Sequence, residues 1–126
     1  HDAYISTGAP QVGVREGARG VGEYRLTRAD VLEAREFADA VALASWPIEL
    51  WHEERRGAAL EYVADGQKYG IPIGALRHRD HTQLFLAGRC LSASHAASGS
   101  ARVIGTCLDV GASVGRIAAA GLSSAP

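Results

Sequence analysis

The sequence predicts a mixed α/β chain, and three observations carry that expectation. Thr27 and Asp30 form the start signal of an amphipathic helix. Short apolar runs at 40–44 and 84–87 read as buried strands. A stretch rich in small residues from 101 to 120 has the length and content of a long helix. The chain of 126 residues suits one domain, because domains usually take roughly 100–200 residues.

Taken in order, residues 1–26 are glycine-rich, with Gly8-Ala9-Pro10, then Gln11-Val12-Gly13-Val14-Arg15, then Gly17, Gly20 and Gly22. Glycine at that density predicts turns and close backbone contacts between short extended pieces. Thr27 then caps a helix whose apolar face is Val31, Leu32 and Phe37 and whose charged face includes Arg28, Glu33, Arg35 and Glu36. Residues 40–44 follow as a buried strand, stopped at Trp46-Pro47 because the residue before proline is pushed out of the helical region. The stretch 49–57 reads as charged and exposed. Tyr69-Gly70-Ile71-Pro72-Ile73-Gly74 reads as extended, with Pro72 withholding a ladder hydrogen bond. A polar turn at Arg77-His78-Arg79-Asp80-His81 leads to the strand 84–87, then Gly88-Arg89, a Ser/Ala/Gly-rich loop over 92–100 and the long helix. The tail Ser123-Ser124-Ala125-Pro126 is expected to fray.

Composition narrows the function classes. The net charge of −1 offers no basic face for nucleic acid. No apolar run approaches the ~20 residues that span a bilayer, so no membrane partner is expected. Two cysteines, Cys90 and Cys107, are too few for a disulfide framework and fit a reducing compartment, hence a cytoplasmic expectation. No basic-then-apolar stretch opens the sequence, so no secretory signal is expected, and a chain that opens His1-Asp2-Ala3-Tyr4 without methionine is expected to be part of a longer protein.

The unit from 84 to 120 has the layout of a ligand cradle. A strand ends in glycine, where backbone comes close to a ligand, and a helix N-terminus then offers unpaired N–H groups. Gly105, Gly111 and Gly115 lie near one side of that helix, where each mid-helix glycine costs about 1 kcal/mol relative to alanine. Either something flat packs against that side or the helix packs tightly on a sheet.

Cys90, His95 and Asp109 supply the residue types of a nucleophile, base and orienting acid, but no nucleophile elbow is present. Cys107 reads as a small buried hydrophobe. Zinc-ligand spacing is also lacking, so no metal site is expected. Arg15, Arg19 and Arg102 interrupt apolar or glycine-rich pieces, where an arginine holds either a carboxylate or phosphate or an ordinary ion-pair partner. His78 and His81 read as a solvated loop, and Trp46 and Trp51 fit either core or interface.

The block Gly88-Arg89-Cys90-Leu91-Ser92-Ala93-Ser94-His95-Ala96, then Ser100-Ala101-Arg102-Val103, Thr106-Cys107, Gly111 and Gly115, resembles the C-terminal signature of FAD-dependent oxidoreductases of the glutathione-reductase-like superfamily. Upstream, Gly13-Val14-Arg15-Glu16 with Arg19, Gly22-Glu23-Tyr24-Arg25-Leu26-Thr27 with Asp30-Val31, Phe37-Ala38-Asp39 and Tyr69-Gly70-Ile71-Pro72 match in the same order. The likeness covers roughly residues 10–120.

The resemblance implies the C-terminal part of a two-domain enzyme. Residues 1–76 would end its substrate domain, and 77–126 would be the returning strand, loop and helix of its FAD domain. The glycine fingerprint for the ADP half of FAD is absent here and would lie in an N-terminal part of the same protein. By the same resemblance Gly88, Arg89 and Ser92 lie near the cofactor backbone. Val103, Gly105, Thr106 and Gly111 face the cofactor further along, and His95 and Arg102 serve catalysis by holding a small-molecule substrate or tuning the ring. The chemistry implied is hydride transfer between that substrate and flavin N5. The alternative is a non-catalytic fragment that folds or self-associates without binding flavin, its exposed strand edge favouring a homo-oligomer. The chain departs from the family pattern at Ala18, Ile73-Gly74, Asp109 and Arg116.

Overall fold

A computed structural model describes residue 8, residues 17–52 and residues 57–123. The segment Gln11-Val12-Gly13-Val14-Arg15, the middle of the 49–57 stretch and the last three residues of the tail lie outside the described residues. Within them the chain is a small mixed α/β fold with four short strands and three helices. In order these are α1 (Arg28–Leu32), β1 (Ala40–Ala44), β2 (Ile48–His52), β3 (Gly57–Glu61), β4 (Tyr69–Pro72), α2 (His95–Ala101) and α3 (Ile104–Ser123).

Helix α1 starts where expected. The Thr27 hydroxyl accepts from the Asp30 N–H, and the Asp30 carboxylate accepts from the Thr27 N–H, closing a reciprocal capping box. It stops earlier than the pattern suggests. Ala34 takes a φ of 50°, in the left-handed region, and turns the chain back so that the Arg35 carbonyl accepts from Gly70 N–H. Phe37 therefore leaves the helix and packs edge-on to Tyr24, with ring centroids 5.3 Å apart.

Strand β1 pairs antiparallel with β4, matching Ala42 to Ile71, Leu43 to Gly70 and Ala44 to Tyr69. Pro72 sits at the end of that ladder opposite Ala40, where its missing N–H costs nothing. The strand is not buried on both faces: Ala42 and Ala44 point inward, while Leu43 is exposed.

At the two ends of the 49–57 stretch, residues 49–52 belong to β2 and Gly57 starts β3, and the two strands pair antiparallel with Leu50 opposite Ala59 and Trp51 opposite Ala58. Alternation of Ile48, Leu50 and their polar neighbours carries the strand period, which the density of charge obscures.

Two further expectations are corrected. Residues 84–87 form no strand; Phe85 makes one isolated bridge to Arg77, and Leu84 is exposed. Residues 92–100 are not all loop, because Ser94 caps α2 by accepting from Ala97 N–H and the helix runs to Ala101. The long helix begins at Ile104 and not at 101, and the chain bends by 91° between α2 and α3.

One core joins these pieces. Leu26, Val31, Ile48, Tyr69, Ile71, Leu76, Ala97 and Val110 are fully buried in a single cluster, drawn from both sides of residue 76. The glycine-rich N-terminal part makes the expected close backbone contacts. A Cβ on Gly22 would stand 2.6 Å from the Gly74 carbonyl oxygen, so only glycine lets these two stretches meet. Leu26 bridges Ala93 in parallel and its carbonyl accepts from Ser94 N–H, which ties this part to the start of α2.

No single helix among the described residues is long and apolar enough to cross a membrane.

Candidate functional site

The bend between α2 and α3 sets the first half of α3 against the free edge of β1. Two polar contacts fix that approach. The Ser113 hydroxyl donates to the Val41 carbonyl at 2.7 Å, and the Asp109 carboxylate accepts from the Leu43 N–H at 3.4 Å. Val110, fully buried, fills the space between them. The edge of β1 that β4 leaves open thus has two of its hydrogen-bonding groups, the Val41 carbonyl and the Leu43 N–H, answered by side chains of a helix.

Above this contact lies a groove of about 740 Å³. Strand β1 forms one wall and Val103, Gly105, Thr106 and Asp109 the other, with Trp46 and Lys68 at its rim. Small-molecule sites usually occupy about 300–1,000 Å³ and carry a few polar groups on largely apolar walls. The volume of this groove falls within that range.

A second, smaller feature lies on the other side of the bend. Gly88 has a φ of 58°, a left-handed conformation that glycine adopts without strain, and starts the 3₁₀ turn Gly88–Cys90. The Cys90 carbonyl accepts from Gly20 N–H at 2.9 Å. A pocket of about 50 Å³ results, lined by Arg19, Arg89 and Arg102 together with Gly17, Ala18, Cys90 and Ser98. Arg102 is held in place by donating to the Glu49 carbonyl at 3.4 Å. Cys107 lies nearby and is partly buried; desolvation pushes its thiol above the ordinary range, and the charge of Arg89 opposes that only in part.

The residues singled out from sequence divide between these places. Val103, Gly105 and Thr106 meet in the groove, and Arg89 and Arg102 meet at the small pocket. Gly88 shapes the turn beneath Arg89. His95 is exposed at the first residue of α2. Ser92 is buried, its N–H donating to the Ala75 carbonyl and its own carbonyl accepting from Leu26 N–H. Gly111 stands on the exposed side of α3, where a Cβ would meet nothing within 4 Å.

Sequence reasoning did not place β1 or Lys68 in a site, and it weighed Asp109 only as the orienting acid of a set with Cys90 and His95. For Asp109 a signal existed, namely a carboxylate in a helix otherwise built of small neutral residues. Nothing in the spacing announces that β1 would face α3. Among the described residues no group of three or more His, Cys, Asp and Glu is placed to hold a metal ion.

Ala40, Ala42 and Ala44 of β1 are among the groove's lining residues, and Gly105 on the helix side is exposed, with nothing within 4 Å of where a Cβ would stand. The 50 Å³ pocket, by contrast, has room for no more than a single small group.

None of the curated proteins and none of the solved structures matches the chain significantly. The family model described as FAD dependent oxidoreductase matches residues 1–125. With nearly the whole length matched, the chain belongs to the FAD-dependent oxidoreductase family.

Proposed function

We propose that this chain is the C-terminal part of an FAD-dependent oxidoreductase and supplies one wall of the flavin site. The observation that carries this reading is the groove in which Val103, Gly105 and Thr106 face strand β1. Residues 1–76 serve as the end of a substrate domain, and 77–126 as the returning segment packed on it. The partner that completes the site is the N-terminal, dinucleotide-binding part of the same protein, because this chain has no glycine fingerprint of its own.

The flavin, when bound, supplies the hydride acceptor and donor. Val103 and Gly105, which line the groove, would pack against the ring and keep water from it, while Thr106 and Asp109 would supply polar contacts to orient it. Gly88 and Arg89 would hold the cofactor backbone, with Ser92 and Gly111 supporting from the adjoining core and helix. Arg102 keeps a fixed positive charge next to the bend, where it orients an anionic group of the small substrate. His95, exposed at the first residue of α2, is the second side chain assigned to hold that substrate.

Titration of FAD with the purified chain tests the reading. Saturable quenching of flavin fluorescence with a shifted visible spectrum is the expected result, and Thr106→Arg, which fills the groove, should remove it. An unchanged flavin signal at saturating protein would mean that these residues are a structural piece with no flavin affinity of their own.

A further inference from the structure

The hairpin of β2 and β3 has two unlike sides. At β2 the helix α2 packs close: Arg102 donates to the Glu49 carbonyl, and a Cβ on Gly99 would stand 2.9 Å from the same oxygen. The outer edge of β3 has no such cover. Its sheet has two strands, and among the described residues no backbone group outside β2 hydrogen-bonds to Gly57–Glu61. An open edge is a template for another strand, and proteins usually blunt it with proline, a bulge or charge. Gly57-Ala58-Ala59-Leu60-Glu61 has no proline and pairs with β2 in unbroken register. Its one charge, Glu61, is already engaged by Arg28.

The outward face of the same strand is apolar. Burial alternates along β3 and leaves Ala58 and Leu60 in solvent. Trp51, opposite Ala58 on β2, is 60% exposed.

We propose that β3 pairs antiparallel with β3 of a second copy of this chain, about a twofold axis at Ala59. The strand is complementary to itself. With Ala59 opposite its own equivalent, Ala58 lies opposite the partner's Leu60 and Leu60 opposite the partner's Ala58, so small meets large on the exposed face. Gly57 lies opposite the partner's Glu61, so no like charges face each other. The contact is isologous, the commonest arrangement among homo-oligomers, and it joins the two hairpins into one four-stranded sheet. A strand of only five residues makes a small interface, so the dimer should dissociate in the micromolar to millimolar range. No residue of β3 lines the groove, and the inference stands whether or not flavin binds there.

Sedimentation equilibrium of the full 126-residue chain, from about 1 μM to about 1 mM, tests it. The mass should climb from one chain to two and stop there. Ala58→Lys combined with Leu60→Lys sets like charges directly opposite across the pair and should hold the chain monomeric throughout. Ala58→Glu combined with Leu60→Glu should do the same, and an equimolar mixture of the two double variants should recover the doubled mass. Leu84→Lys, exposed on another part of the surface, should dimerise like the wild type. A wild-type chain that stays monomeric across the range leaves the edge to some other strand and overturns the proposal. Masses beyond two chains overturn it too, as does a dimer that survives the paired lysines. Should the double variants fail to fold, as judged by circular dichroism, amide exchange of the wild type decides. Exchange at residues 58–60 must slow as concentration rises, and a rate independent of concentration overturns the proposal.

Discussion

The hydroxyl of Tyr69 lies 2.7 Å from the hydroxyl of Ser100, and neither is exposed to solvent. Ser100 in turn donates to the Trp46 carbonyl, so the Tyr69 O–H is the donor to Ser100. A strand, a helix and the turn after β1 are joined through one polar chain inside an apolar core. The two ends of that chain are unequal. Tyr69→Phe removes one donor and leaves Ser100 bonded to Trp46, which should cost about 1 kcal/mol. Ser100→Ala strands a buried phenol and also removes the donor to the part-buried Trp46 carbonyl, and about 1–3 kcal/mol is expected. Urea unfolding of the two variants checks the order.

Alkaline pH reads the same contact. Burial pushes the Tyr69 phenol up to about 12 from an ordinary value of 10.0, with the Ser100 hydrogen bond opposing. A group whose pKa is raised on folding stabilises the fold below its unfolded pKa and loses that contribution as pH climbs through the folded one. Stability should therefore fall between about pH 10 and 12, and Tyr69→Phe should flatten that part of the profile.

Acid acts through Asp30. Burial alone would raise its pKa, yet hydrogen bonds from the Thr27 N–H and hydroxyl, the Tyr24 hydroxyl and Arg35 outweigh it and hold the carboxyl below the ordinary value. A depressed carboxylate stabilises above its unfolded pKa, and the contribution disappears as pH falls through the folded one. Asp30→Asn should cost about 2 kcal/mol at neutral pH, with a smaller loss of stability on acidification than the wild type shows. Unfolding curves from pH 7 to pH 2 measure both.

Two glycines should respond to alanine in opposite directions. At Gly99 the new Cβ would lie 2.9 Å from the Glu49 carbonyl oxygen, on backbone that cannot easily yield, so α2 must move off β2. A loss of about 1–3 kcal/mol is expected. At Gly111 nothing stands within 4 Å, and alanine should stabilise the chain by up to about 1 kcal/mol. Melting temperatures of the pair give the signs, and weaker FAD quenching by Gly111→Ala would place the ring on this side of α3.

Local signals were legible wherever a few neighbouring residues decide the outcome. The Thr27–Asp30 cap, the β1 run and the Pro72 strand end all have short-range causes. Termini chosen by tertiary contacts were not legible. Phe37 continues the helical period of α1, yet its packing on Tyr24 requires the chain to turn at Ala34. Residues 92–100 have loop composition, and burial against β2 makes a helix of most of them. For the site, the residues on α3 were legible from the motif, but the strand facing them was not, because contact between positions 41 and 113 leaves no trace in spacing.

Helix α3 resembles a beam clamped at one end. Thr106, Val110 and Ser113 are buried against the body, whereas Gly115, Arg116, Ala119 and Ala120 are exposed. The projecting half draws little from packing and includes glycine, the poorest helix former after proline. Its amides should therefore exchange with solvent deuterium well before that of Val110, in a front that travels inward from the far end and halts at the Ser113–Val41 anchor. Loosening that anchor would release the whole beam, and with it the Gly105–Thr106 wall of the groove.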